Sequence, residues 1–540
     1  MASNDVSISH AIGGGLATDF GDSARVSVED GVATIPFLTE AKDILYTLDN
    51  GFSKVGGSER TSTWAGSSGV DSFYDFWYSD LGTPLQKIIS YSGTSLVRDT
   101  GSGTGVVIKS DMSPNGKVHF AQFDDDLIIT NSLTSDVPLV YNGSTIETLG
   151  TNTPNGQFCA VYKNRLWMAG DPNNPSRLYY SQSLPNGPRG DWGGADSGFI
   201  DASPGDGDAI RGIYTYKNNL WVFKGPYKGS IHRIEGDSPT GSNPFARRDF
   251  LTNGLPAVAP NGFFLFQDDL GWITADGEIH GLKATASFGD FNESSLSRPI
   301  SSLIQSRVNR NALFRADAVS WANRGLALFA MPFGGSSRPN TLLVMDYRFN
   351  PPRWATWEDY DIRSIANVVD VSRKNNHTVW VGGNSNVLRR IDKMDAANHA
   401  DSGGTYTALN SKIVTPWLSY GGTRERFNLS AVSVRSKPDG YGTVTVKWSR
   451  DGKATQSETL PAQGGDLLGS TFILGSSTLG REEYRARHRR TETGGEFNQI
   501  QFEISNNSLT TASDPGTGHH MRISAFEALI SRSAESLENA

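Results

Sequence analysis

Two stretches of this 540-residue chain resemble one another closely enough to constrain what it can fold into. Tyr162-Lys-Asn-Arg-Leu-Trp-Met168 leads through a polar loop to Arg177-Leu-Tyr-Tyr-Ser181. Starting 54 residues later, Tyr216-Lys-Asn-Asn-Leu-Trp-Val222 leads to Ile231-His-Arg-Ile234. Weaker echoes of this strand, turn, strand unit flank the pair. Upstream are Leu85–Tyr91 with Leu96–Arg98 and Phe123–Ile129 with Pro138–Tyr141; downstream are Gly262–Phe266 with Gly271–Thr274, Leu326–Ala330 with Leu342–Met345, and Val379–Val381 with Val387–Arg389. A sheet of three or four short strands cannot cover its own apolar residues, so such units pack face to face, and radial stacking leaves only short edges. Spacings of roughly 40 to 55 residues fit propeller blades rather than leucine-rich or helical repeats. The pattern predicts an all-β chain with a β-propeller of six to eight blades over residues 71–400; the alternative is a pair of β-sandwiches.

The two ends read differently. Ala396 to Tyr406 is a polar, Gly-containing linker. Beyond it, Leu429–Arg435 and Thr443–Trp448 alternate apolar and polar residues about a Pro438-Asp439-Gly440 turn, and Phe472–Leu474, Gln499–Ile504 and Met521–Glu527 continue the alternation. Residues 401–540 are therefore predicted to form an antiparallel C-terminal β-sandwich. Residues 1–70 hold Ile12-Gly-Gly-Gly-Leu16 and Gly56-Gly57 within irregular sequence, the character of a segment ordered by a partner surface.

Composition narrows the chemistry. The only cysteine, Cys159, excludes an intrachain disulfide, zinc ribbons and CxxC redox chemistry, and its apolar setting reads as a buried thiol. No run of 18 apolar residues suggests a membrane span, and Met1–His10 has no signal-peptide pattern. There is no HExxH pair and no G-x-S-x-G elbow, and His519-His520 reads as a solvated loop. Gly101–Gly105 reads as a hairpin turn, Asp124–Asp126 and Asp206–Asp208 as turn caps, and Ser449–Thr455 is a single, displaced likeness of a sialidase Asp-box turn. No catalytic residue, cofactor site or metal site is expected. The aromatic run Phe73, Tyr74, Phe76, Trp77, Tyr78 suits blade packing, with sugar stacking as the competing use.

Charge is unevenly placed. Residues 401–540 carry 15 Lys/Arg against 15 Asp/Glu, so the whole excess of 57 acidic over 49 basic residues lies in the first 400. An acidic body argues against tight DNA binding, which needs clustered cations, though not against DNA sliding past. The densest charge is Arg481-Glu-Glu-Tyr-Arg-Ala-Arg-His-Arg-Arg490. Guanidinium groups grip carboxylates bidentately, so Arg481, Arg485, Arg487, Arg489 and Arg490 with Glu482 and Glu483 are candidates for a subunit or adaptor interface, with nucleic-acid contact or a solvated strand as the rivals.

Taken together, the Gly-rich opening (Ile12–Asp19, Asn50–Gly57), the paired Lys-Asn-x-Leu-Trp strands with Phe199–Asp201 and Asp208–Gly212 between them, and the closing module of Val444–Gly452 and Arg485–Arg490 resemble the tail nozzle, or hub, proteins of short-tailed bacteriophages, the group of tail tubular protein B and the packaged-DNA stabilisation proteins. The resemblance implies a structural virion protein of the short tail, made in the bacterial cytoplasm and not an enzyme. It implies a homohexameric ring beneath portal and adaptor, with the terminal regions as platform and the propeller at the side, through which double-stranded DNA is retained and ejected. A tail fibre or spike is a further implied partner. The chain lacks the long insertion that would form an extended tip. Two rival readings remain: a glycan-binding or glycan-cleaving tail-spike propeller, and a monomeric cellular interaction propeller.

Overall fold

The structure is a computed structural model. It describes residues 6–63, 69–100, 104–133, 136–251, 254–284, 291–370, 376–384, 387–393, 399–400, 406–407, 409–422, 425–437, 442–462, 484–489, 496–507 and 522–532.

The repeated hairpins form as their turns require. Lys163 and Asn164 have φ of 51° and 55°, and Lys217 and Asn218 have φ of 45° and 57°. Both pairs make the two-residue left-handed turn whose twist matches that of the flanking strands. Tyr162 then faces Arg165 and Tyr216 faces Asn219. In each copy the Trp indole N–H donates to the carbonyl of the Tyr that opens the turn, at 3.1 Å for Trp167 and 3.3 Å for Trp221.

Such hairpins build seven blades around an axis. Blades 1 to 6 are contiguous four-stranded antiparallel sheets over residues 70–109, 118–148, 158–201, 209–251, 263–295 and 317–357. Blade 7 takes three strands from residues 364–393 and its outer strand, Gly57–Thr63, from near the start of the chain. Seven apolar seams join neighbouring blades, so the ring closes. They centre on Phe76 with Leu127, Ile128 with Met168, Trp167 with Ile213, Phe223 with Trp272, Phe264 with Phe329, Leu328 with Val381, and Leu388 with Phe73. The propeller and its six-to-eight range are borne out.

The second body is a sandwich, and it is not made from the C-terminal residues alone. One sheet sets Val6–Ile12 beside Arg522–Arg532, then Phe427–Lys437 and Tyr484–Arg489. The other contains Glu40–Lys42, Asn410–Val414, Ile500–Asn507 and Gly442–Arg450. Ile8, Val432 and Phe526 from the first share a core with Ile413, Val446 and Phe502 from the second. The boundaries expected from sequence therefore change. The stretch 1–70 finds its partner surface in its own chain, and residues 57–63 belong to the propeller. The strands flanking Pro438–Gly440 do not pair, since one lies in each sheet. Within the expected linker, His399–Ala400 pairs with Tyr406–Thr407. The strand expected at Phe472–Leu474 and the loop with His519-His520 lie outside the described residues.

Sandwich and propeller are joined as one piece. Lys42 pairs in parallel with Thr356 of the outer strand of blade 6, so a single sheet runs through both bodies. The triple glycine explains itself here: a Cβ on Gly14 would lie 1.8 Å from the Pro36 carbonyl oxygen, and one on Gly15 2.7 Å from the Trp354 nitrogen. Only bare backbone fits. Directly after it, Leu16 N–H donates to the Trp354 carbonyl at 3.0 Å, and the Tyr46 hydroxyl donates to the same oxygen at 2.7 Å.

Candidate functional site

The inner strands of the propeller surround an axial cavity of about 510 Å³. The size and the mixture of rings and amides are those of a small-molecule site. Tyr74 of blade 1 stacks on Phe120 of blade 2, ring centroids 5.7 Å apart and 29° between planes. Trp77, Tyr214 and Phe263 extend this wall, with Gln122, Asn261 and Asn367 as the amides. The aromatic run thus divides: Phe76 is buried in the seam between blades 1 and 2, Phe73 in the seam between blades 7 and 1, while Tyr74 and Trp77 also face the cavity.

Its polar groups mostly stitch blade to blade. Asp75 accepts from the Val369 N–H and from the Gln86 amide, both at 2.8 Å, tying blade 1 to blade 7. The Gln122 amide donates to the Trp77 carbonyl at 2.6 Å, tying blade 2 to blade 1. At the end of the cavity where the inner strands begin, Lys117 Nζ sits 2.6 Å from Asp317 Oδ2 and donates to the Asp71 carbonyl at 2.7 Å, all within buried surroundings. Unpaired buried charge is costly, so this ion pair holds only as a pair.

Burial sets the protonation states. It lowers His119 to about 4, raises Cys159 to about 12 and raises Tyr74 to about 12. Burial also raises the Asp75 carboxyl, an effect the donors from Val369 and Gln86 oppose. His119 is consequently a neutral ring at pH 7, and Cys159, 3.5 Å from its Nδ1, is a buried thiol rather than a thiolate. This arrangement can stack and hydrogen-bond a ring-shaped guest; of the groups around it, His119 and the neighbouring Cys159 thiol are not poised for proton transfer near neutrality.

The other expected turns are structural. Asp208 accepts from the N–H groups of Tyr227, Lys228 and Gly229, each at 2.8 Å, Asp206 pairs with the buried Lys224 at 2.7 Å, and Asp126 pairs with Arg189. Among the described residues no group of three or more His, Cys, Asp or Glu is placed to hold a metal, and no helix is long and apolar enough to cross a membrane.

The arginine-rich segment is placed in part. Arg485, Arg487 and Arg489 lie on Tyr484–Arg489, a strand at the end of its sheet, opposite Arg435, Ser433 and Ala431. These are the positions that alternate with the core residues Val432 and Val434. Arg481, Glu482, Glu483 and Arg490 lie outside the described residues. Sequence reading missed Asp75, Asn261, Asp317 and Asn367 as a group. They come from blades 1, 5, 6 and 7 and share no motif; the aromatic run around Asp75 was the one visible signal.

No family model matches the sequence, and no curated protein matches it. Among solved structures, YCF48 in complex with a peptide is 11% identical, at a TM-score of 0.34 over 56% of this chain and 89% of that one. The Dos1 propeller is 9% identical, at a TM-score of 0.33 over 66% and 93%. The exo-beta-1,3-galactanase of Phanerochaete chrysosporium is 9% identical, at a TM-score of 0.25 over 88% and 100%. Likeness this slight carries nothing about function. What the strand pairing itself defines is a class: a seven-bladed β-propeller fused through blade 6 to a sandwich woven from both ends of the chain.

Proposed function

We propose that the chain is a structural subunit of the tail nozzle, or hub, of a short-tailed bacteriophage, one of six copies closing a ring that retains packaged DNA and releases it at infection. The observation that supports this reading is the joint. One sheet and one apolar core run from the sandwich into blades 5 and 6, so the terminal regions and the propeller move as a rigid unit. A ring that must hold against pressure needs such a unit, with the platform built from the chain ends and the propeller carried at the side. Arg485, Arg487 and Arg489 fall at alternate positions of Tyr484–Arg489, the last strand of its sheet among the described residues, and guanidinium groups as a class pair bidentately with carboxylates, the chemistry a heterologous closing interface between copies would use. The acidic body repels phosphate, which suits a conduit for DNA. The adaptor above the ring is the expected second partner.

The test is the native mass of the purified full chain by light scattering, with an electron micrograph of the particle. A closed ring of about six copies is expected; a monomer overturns the proposal. A trimer that binds or cleaves surface polysaccharide replaces it with a glycan-directed spike propeller. The stacked Tyr74 and Phe120 beside Trp77 in the axial cavity are the observation favouring that second reading.

A further inference from the structure

Just outside the end of the cavity closed by Lys117 and Asp317, three guanidinium groups converge from distant parts of the chain. Arg315 lies between blades 5 and 6, Arg338 in the loop between two strands of blade 6, and Arg363 between blades 6 and 7. Arg338 Nη1 contacts Asp71 Oδ1, and Arg363 Nη1 lies 3.7 Å from the same oxygen. Arg338 Nη2 donates to the Asn115 side-chain oxygen at 3.2 Å, and Arg315 Nη2 donates to the Asn115 carbonyl at 2.7 Å. One carboxylate and one asparagine thus gather all three. Asp361 also acts on Arg363, while Lys117 is satisfied by Asp317, so the cluster keeps one positive charge in excess.

The donors are not all used. Arg315 Nε and Arg363 Nη1 are buried and have no hydrogen-bond acceptor among the described residues. A buried guanidinium donor without an acceptor is costly, and a chain that tolerates two in one cluster is short of an acceptor there. Burial lowers both Arg315 and Arg338, Tyr91 opposes it at Arg315, and the charge of Arg363 adds to the lowering of both, which reports like charges held close together. Each of the three side chains is partly exposed, so the cluster borders solvent, with the two unused donor atoms beneath its surface.

We infer that Arg315, Arg338 and Arg363 form a binding site for a single oxyanion, a carboxylate or phosphate group, on the face of the propeller where its inner strands begin. The paired oxygens of a carboxylate or of a phosphate group match forked guanidinium donors, and their negative charge offsets the excess. The acidic surplus of the rest of the chain confines this attraction to the cluster. The inference stands apart from the nozzle reading, since it needs neither a ring nor DNA.

The experiment uses the full chain and follows its thermal midpoint in inorganic phosphate, in succinate and in chloride at equal ionic strength, so that screening is common to all three. Saturable stabilisation by phosphate or by succinate, about 2 °C or more above chloride at 10 mM, is expected, and which of the two acts identifies the source of the group. Arg315→Gln removes a guanidinium that donates to the Asn115 backbone carbonyl and forms no ion pair among the described residues, so it spares the ion pairs; it should abolish the added shift while leaving the midpoint in chloride within about 1 °C. Where Arg315→Gln itself lowers that midpoint, Arg363→Gln and isothermal titration of phosphate into the native chain decide instead, with binding expected to weaken at least about tenfold in the variant. Equal midpoints in all three salts, or a shift that survives both substitutions, overturn the inference.

Discussion

The propeller and the sandwich use the same kind of strand but join it in opposite ways. In blades 1 to 6 each strand pairs with the next in sequence, often across a turn of two residues. In the sandwich Val6 pairs with Ile530, and Glu40–Lys42 lies between Asn410–Val414 and blade 6. Closing such distant pairs costs chain entropy before any contact returns it, a cost the formed blades lower by shortening the effective distance between the ends. Register in the first region is a local property. In the second it is imposed by the core that both ends must fill.

Breaking the joint should have the largest effect. Trp354 is buried in the core shared by blades 5 and 6 and the sandwich, and Trp354→Ala should cost about 5 kcal/mol. Urea unfolding followed by fluorescence and circular dichroism should still show one transition at lower urea; two separated transitions would show that the regions fold independently and that the comparison is between domains rather than parts of one unit. Asp317→Ala should cost about 4 kcal/mol, because Lys117 is left buried without its carboxylate. The double change Lys117→Met with Asp317→Leu should restore most of that in the same assay, whereas no recovery would assign the pair a role beyond mutual neutralisation.

Acid sharpens the comparison through one histidine in each region whose protonation burial opposes. His10, stacked at 4.5 Å on Phe526 in the sandwich, and His119 in the propeller are both lowered by burial to about 4. The unfolded chain takes up these protons as pH falls through 6.5, and the folded chain does so only near 4. Their stabilisation is therefore complete above pH 6.5 and is lost between 6.5 and 4, on the order of 3 kcal/mol for each. His10→Phe and His119→Leu should each flatten that limb of the stability profile, and an unchanged profile in either would mean that its ring is already charged when folded. The smallest effect belongs to the local turns: Asn218→Ala, at φ 57°, should lower stability by about 1 kcal/mol in the urea assay without altering the sandwich.

What could be read beforehand follows the same division. Tyr162–Met168 and Tyr216–Val222 announced hairpins, since a left-handed Lys-Asn turn flanked by apolar residues has few other uses. Cys159 was legible as a buried thiol from its apolar neighbours, and Asp208 as a turn cap. The N-terminal strands were not legible: Ser23–Arg25 and Glu40–Lys42 have three residues each, too few to show a period, and their pairing partners lie far along the chain. The axial wall and the arginine cluster were invisible for a related reason. Tyr74 and Phe120, or Arg315, Arg338 and Arg363, become neighbours only when the blades are set in a circle.

By itself the amino-acid order determined the hairpins, the repeat that makes them blades, the acidic surplus of the body and the solitary thiol, because each depends on residues close in sequence or on simple counting. The tertiary structure alone decided that the ring has seven blades, that residues 57–63 complete the last one, that both chain ends share one sandwich, and that three arginines meet around Asp71 and Asn115. Those outcomes depend on which distant surfaces exclude water from one another, and that is a property of the packed chain as a whole rather than of any stretch within it.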